Sequence, residues 1–345
     1  MQITSNLVRD LATTCGFDLA GIAPAGELTD YGRFRGWVAR GFAGEMSYLT
    51  DHRADLRQSP ATLLPEAKSV ICVGLIYNGP EPYSTRFSAP ERGWISRYAW
   101  GEDYHDVLRG KLEDLRRKLL NHGNFDSRVC VDTAPLLERS LAAQAGLGWI
   151  GKNTCLINQQ VGSWFFLGEL ITTLDLAPST RAPDRCGTCT RCIDACPTRA
   201  IVPSPDDRYE LDARLCISYF TIELRSAIPP DHRAGMGAHV FGCDICQDVC
   251  PWNSRAAMTA EPAFAPREFA PELDKLAAIT EVEFRQMFRH TPVSRAKYRG
   301  FLRNVAIAMG NSGLEKFRAP LQNLAQSDDE LIAEHARWAL ARLAG

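Results

Sequence analysis

Eight of the twelve cysteines lie between Cys186 and Cys250, and their spacing predicts iron–sulfur chemistry. In two-cluster bacterial ferredoxins, three closely spaced thiolates hold one cluster, and the cysteine before a proline ligates the other cluster. Both features occur twice here, with the second run stretched. The spacing therefore predicts one [4Fe–4S] cluster on Cys186, Cys189, Cys192 and Cys250, and a second on Cys196, Cys216, Cys243 and Cys246.

A zinc site is the alternative for such a segment, since structural zinc is held by four thiolates or imidazoles in a tetrahedron. The third thiol of each set and the Cys-Pro sequences at Cys196 and Cys250 favour iron–sulfur clusters. Two adjacent clusters pass electrons singly, so we expect one-electron chemistry. The other cysteines are scattered, and we expect small buried hydrophobic residues at Cys15, Cys72, Cys130 and Cys155.

Asp132 is the second feature that predicts chemistry. It follows a short apolar run and precedes a predicted helix, and open α/β sheets bind ligands at that edge. The same position would also suit a residue that caps the following helix. No G-x-G-x-x-G sequence follows a predicted strand and no Walker A sequence is present, so the sequence does not support a nucleotide site of those types.

The residues up to 178 combine strand and helix signals around Asp132. Strand signals occur at Val70–Tyr77, Arg128–Val131 and Trp164–Leu174, and helix signals at Tyr104–Leu120 and Pro135–Ala145. Strands that alternate with helices predict an α/β layer fold for residues 1–178.

Two connectors divide the rest of the chain. The polar, proline-bearing stretch Pro178–Pro183 precedes the cysteine-rich domain that we expect over residues 179–255. Alanine and proline dominate Ala256–Pro271. We expect residues 256–345 to be helical, and Ala306–Ala308 recurs there as Ala339–Ala341. That recurrence fits HEAT-like helix pairs or ordinary helix packing.

The composition is that of a chain able to bury a core, with 45% hydrophobic and 23% charged residues and a formal net charge of −2. It excludes a disordered chain and gives no global attraction to nucleic acid. The longest apolar stretch, near Ser69–Tyr77, is shorter than the ~20 residues that span a bilayer. Met1–Asp10 lacks a signal pattern. We therefore expect a cytoplasmic protein without a membrane partner.

Several longer motifs resemble the epoxyqueuosine reductase family. In order along the chain they are WGEDYHD from Trp100, DTAPLLER from Asp132, AGLGWIGKN from Ala145, GSWFFLGEL from Gly162, CISYFTIEL from Cys216 and FGCDICQDVCPW from Phe241. The resemblance implies an oxidoreductase for the last step of queuosine biosynthesis, the reduction of epoxyqueuosine to queuosine at the wobble position of tRNA. It also implies cobalamin besides two [4Fe–4S] clusters. The implied fold is an α/β cobalamin-binding domain, a ferredoxin-like domain and a C-terminal α-helical HEAT-like domain.

Site residues follow from their positions in these motifs. The resemblance implies Asp132 as the proton donor, and we expect a cavity beside the corrin to raise the pKa of its carboxyl. The residues implied to line the corrin are Arg57, Ser96, Asp132, Lys152, Asn153, Leu156, Leu167 and Ser218. Ser96 stands where some relatives have a cysteine, which makes that contact less transferable.

Two interpretations of His105 remain open. With Tyr104 it lines the implied pocket, or it only caps a helix or packs against its neighbours. The sequence from Asp103 to Leu108 begins like the Asp-x-His-x-x-Gly pattern of a cobalt-ligating histidine but has leucine at the glycine position. We therefore expect base-off cobalamin without a histidine ligand, a state that favours nucleophilic Co(I). As a hypothesis, Co(I) attacks an epoxide carbon while Asp132 protonates the opening oxygen.

A tRNA substrate requires cations for its backbone phosphates. Residues 285–303 contain six basic residues and no acidic one, interleaved with aromatic residues. We expect tRNA contacts at Arg295, Lys297, Arg299 and Arg303, with a solvated helix face as the alternative.

The remaining partner is an unidentified low-potential electron donor, and we expect a monomer. Two other functions compete with this interpretation. A reductive dehalogenase is similar in pairing cobalamin with two [4Fe–4S] clusters, but such proteins usually carry an export signal. A non-catalytic electron carrier, or an RNA-binding protein with structural clusters, would have no corrin site.

Overall fold

The computed structural model describes residues 3–344, and a four-stranded sheet forms the frame of its first half. Predictions that include Met1, Gln2 and Gly345 lie, for those residues, outside the described part. In chain order the first half contains α1 Ser5–Thr14, β1 Leu19–Pro24, α2 Tyr31–Ala39, α3 Arg53–Leu56, β2 Ser69–Ile76, β3 Trp94–Ile95, α4 Tyr104–Leu120, β4 Ser127–Cys130, α5 Glu138–Gln144, β5 Trp149–Ile150, β6 Leu156–Ile157 and β7 Phe165–Thr172.

The strands of the main sheet run in the order β1-β2-β7-β4, and every neighbouring pair is antiparallel. The predicted strands and the predicted helix α4 are confirmed, while α5 begins three residues later than expected, at Glu138 rather than Pro135. Helices are interspersed with strands in the first half of the chain, as predicted. Because the pairs are antiparallel, however, the ligand-edge rule for parallel sheets does not place Asp132.

Helices cover both faces of this sheet. The leucines of α4 at positions 108, 112, 115 and 119 are fully buried at helical spacing. A methyl group on Gly168 of β7 would come within 2.9 Å of the Leu112 side chain, so the glycine lets α4 approach the strand closely. On the other face, α5 ends against β1, where a methyl group on Gly21 would lie 2.0 Å from the carbonyl oxygen of Ala145.

The middle segment consists of short elements between loops. They are α6 Arg191–Asp194, β8 Ile201–Pro203, β9 Tyr209–Leu211, α7 Ile217–Ile222, α8 Pro230–Arg233, β10 His239–Phe241 and α9 Ile245–Asp248. Strands β8 and β9 form a hairpin, and β10 pairs in parallel with β3 of the first half. This pairing ties the cysteine-rich segment to the segment that carries Asp132.

The last segment is helical, as expected. Its helices are α10 Leu273–Ala278, α11 Glu281–Met287, α12 Lys297–Ser312, α13 Arg318–Ala325 and α14 Glu330–Ala344. One hydrophobic core joins all three segments, since Trp94, Phe241 and Phe301 are buried in the same cluster. The three parts of the chain therefore share this core, although the first part also buries a cluster of its own.

The alanine recurrence lies on two helices that pack against each other. Ala306 on α12 and Ala339 on α14 are fully buried. A methyl group on Gly310 would come within 2.7 Å of both the Cα and the Cβ of Ala339, so the two helices cross at the distance that small residues permit. Among residues 3–344, no helix is both long and apolar enough to cross a membrane.

Gly310→Ala should destabilise the protein, because its new methyl group meets helix backbone that cannot move aside. The expected loss is about 1–3 kcal/mol of unfolding free energy, the usual cost of overpacking. Gly300→Ala is the matched control in the same helix, because nothing lies within 4 Å of its added methyl group. There, replacing glycine in a helix should stabilise by up to about 1 kcal/mol. Urea unfolding of both variants tests this, and equal midpoints would contradict the close crossing.

Candidate active site

Asp132 lies in a sharp loop directly after β4, with a backbone φ of +49°, a value that non-glycine residues seldom adopt. It does not cap α5, because that helix begins after Leu137 and has no side-chain cap. The capping interpretation is therefore wrong. The carboxylate faces the start of α4, and 41% of the side chain is exposed. We call the exposed surface between the Asp132 loop and the start of α4 the cleft.

His105 connects Asp132 to a second carboxylate. Asp103 caps α4 by accepting from the backbone N–H of His105, and its carboxylate also lies 2.6 Å from His105 Nδ1. The other ring nitrogen, Nε2, lies 3.1 Å from Asp132 Oδ2. Of the two interpretations of His105, the structure supports a place in the site. Its position in the first turn of α4 orients the imidazole ring toward Asp132.

The charged neighbours of His105 and Asp132 shift the pKa of each group in the direction opposite to the effect of burial. Burial alone would lower the pKa of His105, but its hydrogen bonds to Asp103 and Asp132 outweigh burial and raise the pKa to about 9. Burial alone would raise the pKa of Asp132, but the hydrogen bond and charge of His105, with the charge of Arg295, lower it. The expectation of a raised pKa for Asp132 is wrong in this structure: at neutral pH the proton resides on His105.

Arg295 lies in this site rather than on an outer surface. Its Nη1 lies 3.7 Å from Asp132 Oδ2, and its Nη2 forms an ion pair with Glu223 at 2.9 Å. The same nitrogen donates to the Tyr48 hydroxyl at 3.3 Å. These partners come from distant parts of the sequence. The Arg295 guanidinium therefore connects the helical segment to the rest of the chain at this site.

The other predicted tRNA contacts fall in different environments. Arg303 is fully buried and donates to backbone carbonyls, including those of Leu224 at 3.0 Å and Ser226 at 2.7 Å. The prediction that Arg303 contacts tRNA is therefore wrong, because its fixed partners lie inside the fold. Arg299 is exposed but forms an ion pair with Asp329 at 2.8 Å, whereas Lys297 is exposed at the start of α12.

The cysteines come together in the two predicted sets. Burial, together with the nearby thiols of Cys250, Cys186 and Cys189, raises the pKa of the Cys192 thiol to about 11. In the other set, burial raises the pKa of Cys243, and Cys216 and Cys196 add to the increase. Cys246 lies near Cys243 and Cys216. The crossing of Cys196 and Cys250 between the sets is thus the arrangement that the spacing predicts.

A single-ion site does not fit these residues. Across residues 3–344, no three or more His, Cys, Asp or Glu side chains are arranged to hold one metal ion, as zinc would require. Four thiolates around a cube of iron and sulfur stand further apart than four ligands of one ion.

Among the scattered cysteines, Cys155 lies beside a predicted cluster ligand. Its thiol contacts that of Cys246, and this contact is the main cause of the lowered pKa of Cys155. Lys152 and Asn153, just before it, hold the cysteine loops. Lys152 Nζ donates to the carbonyls of Gly187 at 2.8 Å and Cys189 at 3.0 Å. Asn153 Nδ2 donates to the carbonyl of Cys246 at 3.2 Å.

The remaining predicted corrin contacts are mostly buried. Arg57 donates to the carbonyl of its neighbour one turn earlier at 2.7 Å, and the buried hydroxyl of Ser96 has no hydrogen-bond partner among the described residues. Leu156 is buried and Leu167 half-buried in the apolar cluster that lies below the Asp132 loop. Ser218 is half-buried and hydrogen-bonds the Cys216 thiol.

Two glutamates beneath the Asp132 loop were not predicted from the sequence: Glu138, which is half-buried, and Glu169. Glu138, the first residue of α5, accepts a hydrogen bond from the Asp132 backbone N–H at 2.5 Å. Glu169 lies in the middle of β7 and is fully buried. The signal was available, because Glu169 is the one acidic residue in the apolar run Trp164–Leu174.

Comparisons with known proteins match almost the whole chain. A family model described as epoxyqueuosine reductase QueG, DUF1730, matches residues 57–133, and one described as a 4Fe-4S double cluster binding domain matches residues 185–253. The chain is 43% identical over 342 residues to the epoxyqueuosine reductase of Xanthomonas campestris pv. campestris, covering 97% of this chain and 95% of that relative.

Two solved structures are similar over almost the full length. One is an epoxyqueuosine reductase with a tRNA-Tyr epoxyqueuosine-modified stem loop, at a TM-score of 0.88 and 30% identity, covering 99% of this chain and 90% of that chain. The other is epoxyqueuosine reductase from Bacillus subtilis, described with its catalytic aspartate loop swung out of the active site. It has a TM-score of 0.86 and 31% identity, covering 98% and 90% of the two chains.

The imidazole of His105 should titrate at about 9 instead of its ordinary 6.5. Because the folded pKa is raised, its contribution to stability is complete below about 6.5 and is lost as pH rises through about 9. Asp132→Asn removes one carboxylate and should move the pKa back toward 6.5. NMR of ¹³C-labelled histidine measures both values, and titration near 6.5 in the unsubstituted protein would contradict the paired geometry.

Proposed function

The chain belongs to the epoxyqueuosine reductase family, and we propose on that premise that its Asp132–His105 pair protonates the opening epoxide. The enzyme reduces epoxyqueuosine to queuosine in tRNA. Conversion of an epoxide to an alkene consumes two electrons and two protons and releases water. The observation that carries the proton-donor role is the Asp132 carboxylate, which lies exposed in the cleft 3.1 Å from a protonated His105 ring.

The proton reaches the substrate in two short transfers. His105 Nε2 gives its proton to Asp132 Oδ2, and the carboxylic acid so formed gives a proton to the epoxide oxygen. Asp103 stays on Nδ1 and keeps the ring oriented throughout. The Arg295 guanidinium stabilises the carboxylate that remains afterwards. Two cations, His105 and Arg295, thus lie beside the Asp132 carboxylate and keep it ionised before the reaction. His105 meanwhile holds the proton that Asp132 passes on.

Cobalamin is the cofactor that this cleft would hold, since its residues fit a corrin. The Asp132 side chain is open to the cleft, and the Ser96 hydroxyl is a buried polar atom without a partner among the described residues. When bound, cobalamin supplies a low-valent cobalt nucleophile for the epoxide carbon. Both ring nitrogens of His105 face carboxylates, so neither nitrogen would be available to ligate the cobalt.

We assign the corrin contacts by position in the family motifs and by their neighbours in the fold. The apolar side of the cleft would come from Leu156 and Leu167, and the polar side from Arg57, Ser96 and Ser218. Lys152 and Asn153 would act indirectly, since their hydrogen bonds hold the cysteine loops in place.

Electrons would enter through the cysteine-rich segment. One cluster would be held by Cys186, Cys189, Cys192 and Cys250, and the other by Cys196, Cys216, Cys243 and Cys246. The second cluster would lie nearer the proposed corrin contacts, since Ser218 hydrogen-bonds Cys216. The division into residues 1–178, 179–255 and 256–345 follows this separation of roles. A low-potential donor, a monomeric state and a cytoplasmic location fit an enzyme that acts on tRNA.

The start of α12 would contact the tRNA backbone. Lys297 and Arg299 are exposed there, one turn from Arg295, which reaches into the active site. With this arrangement, one bound anticodon loop could contact Lys297 and Arg299 through its phosphates while its modified base reaches Asp132. It gives Arg295 a role at the reacting base rather than at a phosphate.

Asp132→Asn keeps the shape of the side chain but cannot pass a proton, so kcat should fall about 10²–10⁴-fold. Cobalamin and tRNA affinities should stay unchanged, because the amide preserves the volume of the loop. Asp106→Asn, on the exposed side of α4, is the matched control and should retain full turnover. The rate of queuosine formation in digested tRNA measures both. Near-normal turnover of Asp132→Asn would remove the proton-donor role.

Lys297→Ala should weaken binding of the tRNA stem loop and reduce the slope of log affinity against log salt by about 1, as loss of one phosphate contact does. Lys118→Ala is the control, at the far end of α4 and roughly 20 Å along that helix from His105. Filter binding at two salt concentrations measures the slopes. Identical slopes for the parent protein and Lys297→Ala would place the phosphate contacts elsewhere.

A further inference from the structure

The two sets of cysteines lie at different depths. In the loop of residues 185–191, which contains Cys186 and Cys189, five of the seven residues are exposed. No residue from 239 to 249 is exposed, and Cys216 and Cys243 pack against a buried apolar cluster. We call the shallower set outer, Cys186, Cys189, Cys192 and Cys250, and the deeper set inner, Cys196, Cys216, Cys243 and Cys246.

The inner set lies on the side of the active site. Cys216 directly precedes α7, and Glu223, the first residue after that helix, forms an ion pair with Arg295 at 2.9 Å. Arg295 in turn lies 3.7 Å from Asp132. Because electron transfer slows steeply with distance, a donor from solution has to approach the outer set.

Three exposed arginines border the outer set in the chain, and we call them the arginine face: Arg181, Arg185 and Arg191. Arg185 directly precedes Cys186, and Arg191 directly precedes Cys192. Within residues 3–344 none of the three forms an ion pair. Of the acids nearby, Asp184 accepts from the backbone N–H of Cys186 at 2.8 Å, and Asp194 accepts from a threonine hydroxyl at 2.7 Å.

A groove of about 330 Å³ opens beside Arg185. Its lining includes Trp149, Gln160 and Pro183, and Arg185 is its single charged residue in the described part of the chain. Trp149 is buried and packs in one small cluster with Cys186 and Cys250. The groove therefore brings a docked partner close to two ligands of the outer set.

We propose that the arginine face and this groove dock a small acidic protein that carries one electron at low potential. This inference rests on the proposed function and names the class of its electron donor. In each encounter the carrier is oxidised by one electron and the outer cluster is reduced by one, with no bond broken and no proton moved. Two encounters supply the two electrons that one epoxide consumes. Since the whole chain has a net charge of −2, the attraction is local to this face.

A tRNA backbone is another polyanion that exposed arginines attract. The position of the arginine face favours the carrier, because Arg185 and Arg191 adjoin ligands of the outer set. The modified base has to reach Asp132, which lies with the inner set. A protein at the arginine face and a tRNA at the cleft would therefore occupy different surfaces.

Charge reversal in a double variant, Arg185→Glu with Arg191→Glu, tests the docking surface. The probe is reduced flavodoxin, an acidic one-electron carrier, mixed with the reconstituted protein in a stopped-flow instrument. At low salt the second-order rate of electron transfer should fall about tenfold or more, within the range of electrostatic steering. Its dependence on salt should flatten, because the attraction that salt screens has been removed.

Arg117→Glu is the matched control, since it makes the same charge change at an exposed position near the far end of α4. It should react at the parent rate. Arg181→Glu lies five residues before the first ligand and should show part of the defect, which covers the case in which the double variant does not assemble its clusters. Equal rates for the parent, Arg181→Glu and the double variant would refute the docking surface. Failure of the parent to accept electrons from either flavodoxin or an acidic ferredoxin would also refute it.

A small uncharged reductant separates docking from a direct effect of the arginines on the cluster. Photoreduced 5-deazariboflavin should reduce the parent and the double variant equally fast, and the midpoint potentials in an EPR titration should agree. If the double variant were slower with both reductants, or its potential were shifted, the arginines would only balance the charge of the cluster. That outcome would overturn the proposal.

Two further measurements distinguish this proposal from its neighbours. Affinity for the tRNA stem loop should be unchanged in the double variant. Weaker tRNA binding at an unchanged carrier rate would assign the arginine face to tRNA instead. If the parent accepts electrons from flavodoxin but forms no queuosine, the proposed function fails while the docking surface stands. If the parent forms queuosine with a chemical reductant and charge reversal leaves the carrier rate unchanged, only the docking surface is refuted.

Discussion

The Asp132 carboxylate is held between two cations from distant parts of the chain, and the site depends on that arrangement. His105 approaches from the first turn of α4, and Arg295 from the helical segment. Charges in a partly buried site attract strongly only at fixed, short distances. The common hydrophobic core and the pairing of β3 with β10 fix those distances, because they prevent the three segments from moving independently. The positive φ of Asp132 is the local strain that this arrangement tolerates.

Features set by local spacing could be predicted from the sequence. The two cysteine sets, including the exchanged Cys196 and Cys250, follow from ferredoxin spacing, and the structure brings each set together. Helix α4 was predicted to the residue, because its leucines repeat at helical intervals over a long stretch. The family resemblance likewise rests on contiguous motifs, which need no knowledge of the fold.

Features set by tertiary contacts could not be predicted in the same way. Arg295, Arg299 and Arg303 look equivalent in the sequence, yet one enters the active site, one pairs with an acid and one is buried. The lowered pKa of Asp132 depends on a histidine 27 residues earlier. The antiparallel sheet also has no local signature, since it is the long connections that decide which strands become neighbours. Glu169 was visible as an acid in an apolar run, but only the fold shows which group it faces.

The most direct test of the whole account is the reaction itself. The chain would be reconstituted anaerobically with iron and sulfide, supplied with a chemical reductant, and given tRNA that carries epoxyqueuosine, with and without cobalamin. Mass spectrometry of the digested tRNA would then report the modified nucleoside. The account predicts loss of one oxygen only when cobalamin is present. No loss from protein with both clusters and bound cobalamin would contradict it, and the substrate would have to be sought elsewhere.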